Sequence, residues 1–244
     1  MIKKILWLFI FTLFLNSCSH ITEPPFEHQY VIYLSLKPQE HFQRAFVDST
    51  YRINVSVDSE STGISGAEIF VLNTNGDTFR FYESDSIKGL YYSNDTSWVN
   101  YASNYLVNVV IGNDTICEAV SVPDTLTIHL PHTKDTISLN NPPPVIWNNC
   151  NGCYKHTYFV YAYITGTLDS IDYHMVTTDT VMNIFLARDL FSETDTTYTV
   201  CIIGYDENNY NASFRGNTDQ IEDNRAIGTI GATVLDSIVV WVTE

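Results

Sequence analysis

Apolar residues along this chain recur with a period of two far more often than with the helical period. Residues 30–36 form a β-prone apolar run. Residues 51–58 alternate strictly, with Tyr51, Ile53, Val55 and Val57 on one side and Arg52, Asn54, Ser56 and Asp58 on the other. Such alternation marks a half-buried strand. A Ser/Gly-rich loop follows over 58–66. Residues 67–72 and 78–83 flank Asn73-Thr74-Asn75-Gly76-Asp77. Asn-Gly tolerates positive φ at both positions, so these runs are predicted to form a hairpin. Residues 90–92 and 98–101 read as short strands, 105–111 and 115–122 as a hairpin across Gly112-Asn113-Asp114, and 125–130 as an edge strand. No ten-residue stretch of this half has a sound helical period.

Asn140-Asn141-Pro142-Pro143-Pro144 then interrupts the pattern. Three prolines cannot join a central strand and they stiffen a connection, so 140–144 is read as a linker. Beyond it, strands are predicted at 145–147, 158–164, 172–177, 181–186, 198–205 and 237–242, with a short helical turn at 187–191. Many short strands separated by turn residues predict an all-β chain of two tandem β-sandwiches, spanning 29–139 and 145–244. A long insert at about 208–231 stands where a short hairpin is expected.

The N-terminus has another character. Lys3 and Lys4 precede an apolar run from Ile5 to Leu15, the length of a signal-peptide core and short for a permanent membrane span. Leu15-Asn16-Ser17-Cys18 follows and resembles the lipobox of bacterial lipoproteins. The resemblance implies cleavage of residues 1–17, a diacylated Cys18 thiol as the only attached group, and a polar tether over 18–28. Two or more acyl chains hold a protein firmly where one binds marginally. Ser19 in place of Asp leans the expectation towards the outer membrane, periplasmic or surface-facing.

The net charge is −16, and loss of Lys3 and Lys4 with the leader leaves −18. Nucleic acid and anionic lipid surfaces both need basic patches, so neither is an expected partner of the domains. Aromatic residues make up 14% of the chain, which speaks against disorder.

Two further resemblances concern the domains. Pro144-Val145-Ile146-Trp147, Tyr158-Phe159-Val160-Tyr161, Leu190 with Thr197-Tyr198-Thr199-Val200, and the closing run Asp236 to Val242 are similar to the pattern of fibronectin type III domains. That resemblance implies a core tryptophan at 147 and a corner-closing tyrosine at 198. It departs from the family in the wide spacing of Leu190 and Tyr198 and in the insert. Ile64-Ser65-Gly66-Ala67-Glu68-Ile69, Asn75-Gly76-Asp77, Lys88-Gly89-Leu90-Tyr91-Tyr92 and Tyr105-Leu106-Val107-Asn108-Val109 resemble the Ig-like or carboxypeptidase-regulatory-like domain of uncharacterised bacterial surface lipoproteins. This second resemblance implies a fold and a location, and no chemistry.

Candidate chemistry is sparse. Cys150-Asn151-Gly152-Cys153 is a C-x-x-C with His156 nearby. Haem attachment needs His directly after the second Cys, where Tyr154 stands. A redox pair needs a helix N-terminus, and a zinc site needs ligands beyond His156, from His174 or Cys201. An oxidising compartment favours a disulfide. If Tyr198 and Val200 face the core, alternation turns Cys201 away, so Cys150–Cys153 is the expected bridge. Cys117 reads as a buried small residue. His129 and His132 read as edge-strand surface residues.

The insert and its approach carry Asp206, Asp219 and Asp223, hard oxygen donors that suit Ca²⁺ without a fixed loop spacing, beside the plainer reading of solvated acids. Alternation places Phe159, Tyr161 and Tyr163 on one face, either as sandwich packing or as a row for stacking on sugar rings or a partner protein. No nucleophile elbow, zinc-protease helix or phosphate loop occurs. The expectation is a membrane-anchored, non-enzymatic binding or scaffolding lipoprotein of the cell envelope with a protein or glycan partner. A carbohydrate-binding accessory, with or without Ca²⁺, is the alternative.

Overall fold

The computed structural model describes residues 27–51, 62–167, 173–183, 189–216 and 220–244. Residues 52–58 of the expected alternating strand, Cys18 with its leader, and Asp219 lie outside these. The described chain is almost entirely β. Its strands are β1 (Tyr30–Leu36), β2 (Arg44–Ser49), β3 (Glu68–Asn73), β4 (Thr78–Glu83), β5 (Leu90–Ser93), β6 (Asn104–Ile111), β7 (Asp114–Ser121), β8 (Ile128–Leu130), β9 (Thr136–Ser138), β10 (Val145–Trp147), β11 (Tyr158–Ile164), β12 (Tyr173–Thr177), β13 (Val181–Met182), β14 (Thr196–Tyr205) and β15 (Ala226–Thr243). Among the described residues one α-helix, α1 (Glu207–Arg215), follows β14 on the way to β15.

The predicted hairpins form. β3 and β4 pair across Asn73–Asp77, where Asn73 Oδ1 accepts from Asn75 N–H and Asp77 N–H. β6 and β7 pair over their whole length. Two expectations fail. Residues 98–101 form no strand, because Trp98 is buried from a loop, stacked on Phe79 and edge-on to Tyr105. The strand expected at 237–242 begins eleven residues earlier, at Ala226, so the insert is α1 together with the start of β15.

That long strand organises the molecule. Ala226–Ala232 pairs in parallel with β1, and Thr233–Val242 pairs antiparallel with β14. In the second half, the sheet β12–β11–β14–β15 faces the three-stranded sheet β13–β10–β8, which makes a sandwich. In the first half the ladder runs β15–β1–β2–β5–β4–β3–β6–β7. It curls until β7 returns to the segment leading into β15. There Arg225 donates to Asp114 Oδ1 at 2.6 Å and to Thr115 O, and Glu118 accepts from Glu222 N–H.

Alternation along β15 explains how one strand serves two cores. Ile230, Ala232, Val234, Ile238, Val240 and Val242 are buried on one side. The earlier ones pack with Ile32, Leu34 and Val47, the later ones with Tyr158, Val160, Val200 and Ile202, and all belong to one contiguous apolar cluster. Gly228 makes the parallel contact possible: a Cβ there would lie 2.1 Å from Ile32 O.

Buried tyrosines fasten the loops. Tyr198 Oη accepts from Ser192 N–H at 3.0 Å and Glu193 N–H at 2.8 Å, closing the corner that the fibronectin-like pattern implied. Tyr158 accepts from Cys150 N–H and donates to Asn149 Oδ1, and its ring lies edge-on to the buried Trp147. Tyr91 accepts from Ala67 N–H and donates to Ile64 O. A buried phenol that satisfies two partners costs nothing in lost hydration and rigidifies both.

Candidate functional site

The site takes shape on the outer face of the second sandwich. On β11 the inward residues Tyr158, Val160 and Ala162 are buried, which turns Phe159, Tyr161 and Tyr163 outward. They are part-exposed and form a continuous row, with centroids 5.4 Å apart between Phe159 and Tyr161 and 6.1 Å between Tyr161 and Tyr163. The latter two rings are nearly parallel, at 20°. The register sets Tyr161 directly beside Cys201 on the neighbouring strand. Burial, with the neighbouring Cys201 and nearby tyrosines, drives the Tyr161 phenol far above its ordinary value, so it stays protonated. Cys201 is turned out of the core as alternation requires, yet is buried beneath this aromatic layer.

Neighbouring strands extend the surface. The register pairs Tyr161 with His174 on β12, and places Thr199, Cys201 and Ile203 of β14 beside Tyr163, Tyr161 and Phe159. Val239, Ser237 and Leu235 of β15 continue the same rows, and Trp241 pairs with Thr197. Trp241 is 43% exposed and Val176 45%. None of these outward positions is Asp, Glu, Lys or Arg. The outer face of the first sandwich has exposed aromatics too, Tyr33 and Tyr82 among them, but charged residues such as Arg44 and Arg80 interrupt it.

One end of the surface is walled by α1. Asp206 caps this helix, accepting from Asn209 N–H and, through its other oxygen, from Ala232 N–H. Phe214 then packs against Phe159 and Tyr205, and Tyr210 against Tyr154. Burial pushes Tyr205 up to about 12. Burial also pushes Asp206 up to about 7; its two N–H donors pull the other way and the charge of Glu207 adds to the rise. Beneath the helix, Asn209 donates to Ser35 Oγ and Thr233 Oγ1, linking α1 to β1 and β15.

Other candidates fall out differently. Cys150 and Cys153 are disulfide-bonded, and both are buried. Cys153 Sγ packs so closely on Gly204 that a Cβ there would lie 2.3 Å from it. A bond so enclosed fastens the loop to β14 and does not offer a thiol to a substrate. Cys117, expected inside, is exposed: Ile116 and Val120 take the inward positions of β7, and Glu118 goes in with them. Burial raises the Glu118 pKa, the Glu222 N–H opposes this, and the charges of Glu222 and Asp223 reinforce it.

Of the expected Ca²⁺ donors, the two described, Asp206 and Asp223, are each engaged by other groups. Asp206 is spent on helix and strand N–H groups. Asp223 is held by Arg225, whose hydrogen bonds lower it to about 2. Among the described residues no three His, Cys, Asp or Glu side chains converge in a way that would hold a metal. His129 is exposed on edge strand β8, and His132 lies near Asp135 at the surface.

Two depressions lie elsewhere on the described surface. One of about 320 Å³ lies between Ala119 and Ser121 of β7 and Tyr154 and Glu207. Another, of about 630 Å³, borders Phe46, Glu83 and Asp85. Burial pushes the Glu83 carboxyl up, but hydrogen bonds from Gly66 N–H, the Ser65 side chain and Gly89 N–H outweigh it and hold the group low. Glu83 is thereby committed to shaping its loop.

No family model matches the chain, and no curated protein matches it in sequence. Among solved structures it is similar to the FN1–FN3 domains of chicken CNTN1 at 10% identity and a TM-score of 0.26, over 88% of this chain and 66% of that one. The fibronectin(III)-like modules of Clostridium thermocellum CbhA give 13% and 0.22, over 87% and 94%. An I-band fragment of titin gives 9% and 0.23, over 86% and 65%. The chain thus spans just under two thirds of the CNTN1 and titin structures. At such TM-scores nothing about ligand or partner follows.

Proposed function

We propose that this chain is a non-enzymatic binding module of a bacterial cell envelope, lipid-anchored through Cys18 and presenting the outer face of its second sandwich to a partner. The observation that carries the reading is the uncharged aromatic surface itself. In a chain of net charge −16, the part-exposed Phe159, Tyr161, Tyr163 and Trp241 share a sheet face on which no outward strand position named above bears a carboxylate, ammonium or guanidinium group. Solvent-facing sheet surfaces are ordinarily mixed and charged, and a grouped apolar patch is the informative exception.

The anchor rests on the apolar leader and Leu15-Asn16-Ser17-Cys18. A tether of about a dozen residues between Cys18 and β1 has a root-mean-square reach on the order of 20 Å. It would hold the first sandwich close to the lipid, at the outer membrane in our reading, while the acidic surface keeps the domains from lying flat on anionic headgroups.

Two experiments test the proposal. A palmitate analogue fed to cells should label the wild-type chain and leave Cys18→Ala unlabelled; labelling that survives the substitution removes the anchor. A photo-crosslinking residue at Tyr163 should form adducts in intact envelopes that the same residue at the exposed Glu68 does not. Equal or absent adducts at both positions remove the binding face.

A further inference from the structure

We infer that the ligand of this face is a neutral oligosaccharide, laid over Tyr161 and Tyr163 and bounded by Trp241 on one side and by Phe159 with the α1 wall on the other. The inference rests on the binding reading above and names its ligand class.

Three observations carry it. The first is ring geometry. Tyr161 and Tyr163 lie at 20° to one another with centroids 6.1 Å apart, and the Tyr161 ring is held between Tyr163 and Phe159. Packed, nearly parallel rings present a platform whose electron-rich faces attract the C–H face of a pyranose, and a ring already held between neighbours loses little side-chain entropy on binding.

The second is the polar company. Beside the platform stand hydroxyls, Thr165 and Thr199, hydrogen-bonded to each other at 3.0 Å, with Thr197 beside Trp241 and Ser237 on β15, and none of the outward strand positions named above is Asp, Glu, Lys or Arg. Hydroxyls both donate and accept, which suits the edge of a sugar ring. An anionic ligand would be repelled by the net charge of −16, and a cationic one would find no carboxylate at the described outward strand positions named above.

The third is area. Four strands at about 4.8 Å spacing, over the stretch from Phe159 to the level of Thr165 and Trp241 at about 3.4 Å rise per residue, give a patch on the order of 400 Å². A stable protein interface or homodimer needs roughly 800 Å² from each partner. The patch is thus too small for a second copy and is sized for a few sugar units.

The full lipidated chain, in a detergent without a sugar headgroup, is titrated by calorimetry with cellohexaose, xylohexaose, mannohexaose and maltohexaose. At least one should bind saturably. Tyr163→Ala and Trp241→Ala should each weaken that binding about tenfold, the loss of one stacking contact. Tyr82→Ala, which removes a more exposed tyrosine from the other sandwich, should leave it unchanged. Failure of all four sugars to bind, or binding indifferent to Tyr163 and Trp241, overturns the inference. If adducts still form at Tyr163 in envelopes, that failure leaves the binding face standing. A concentration-dependent dimer dispersed by Tyr163→Glu would put a second copy on the face and likewise overturn the sugar.

Discussion

Gly204 has no side chain to spare because Cys153 Sγ stands 2.3 Å from where a Cβ would sit, with a Val234 methyl on the other side. Gly204→Ala should therefore cost about 1–3 kcal/mol by overpacking, read as a lowered urea midpoint with an unchanged slope. Tyr198→Phe strips the acceptor from two backbone N–H groups and should cost a similar amount. Asp206 contributes a pH dependence instead. Its pKa rises from 3.8 to about 7 on folding, so the folded chain keeps a proton that the unfolded chain releases. This stabilisation is complete below pH 4 and is lost as the pH climbs through 7. Relative to wild type, Asp206→Asn should remove a fall in stability of up to about 1.4 kcal/mol per pH unit across that window. Parallel pH profiles of the two proteins would show that Asp206 is ionised throughout.

The elements differ in how plainly the chain announces them. β11 and β14 read directly, because Tyr158, Val160 and Ala162, and Tyr198, Val200 and Ile202, alternate with outward residues. β2 was missed: only Ala45 and Val47 of Arg44–Ser49 enter the core, while the larger Phe46 faces away. The front of β15, with Gly228 and Gly231 among small residues, reads as loop by composition. It is a strand because the approach of Ile32 O leaves no room for a Cβ at Gly228. Gly228→Ala should accordingly loosen the β1–β15 pairing, raising amide exchange over 226–232 more than over 237–242. The Asn-rich α1 also reads as loop, and it owes its helical form to the Asp206 cap and to Tyr210 and Phe214, four residues apart, packing on aromatic neighbours.

At the scale of the whole molecule, β15 makes the two sandwiches one mechanical unit. Its register with β1 runs into its register with β14 at consecutive residues, Ala232 and Thr233, and the buried clusters on either side merge. Calorimetric unfolding should give one cooperative transition, with the directly measured and van't Hoff enthalpies in agreement. Two separated transitions would mean that the shared strand does not couple the halves.

By itself the sequence determined what local periodicity can encode: an all-β chain, most strand positions, the corner tyrosine, the 150–153 bridge, and the outward row Phe159, Tyr161, Tyr163. Each follows from alternation or from residues a few positions apart, except the corner tyrosine, which came from the resemblance to fibronectin type III domains. The tertiary structure decided everything that depends on which strands become neighbours. It brought Trp241, His174 and Phe214 to that row, put Glu118 inside and Cys117 outside, and gave the two cores one strand. Strand pairing joins residues up to two hundred positions apart, as Ile32 and Gly228 are, and a pattern read along one stretch of chain holds no record of the stretch that will lie against it.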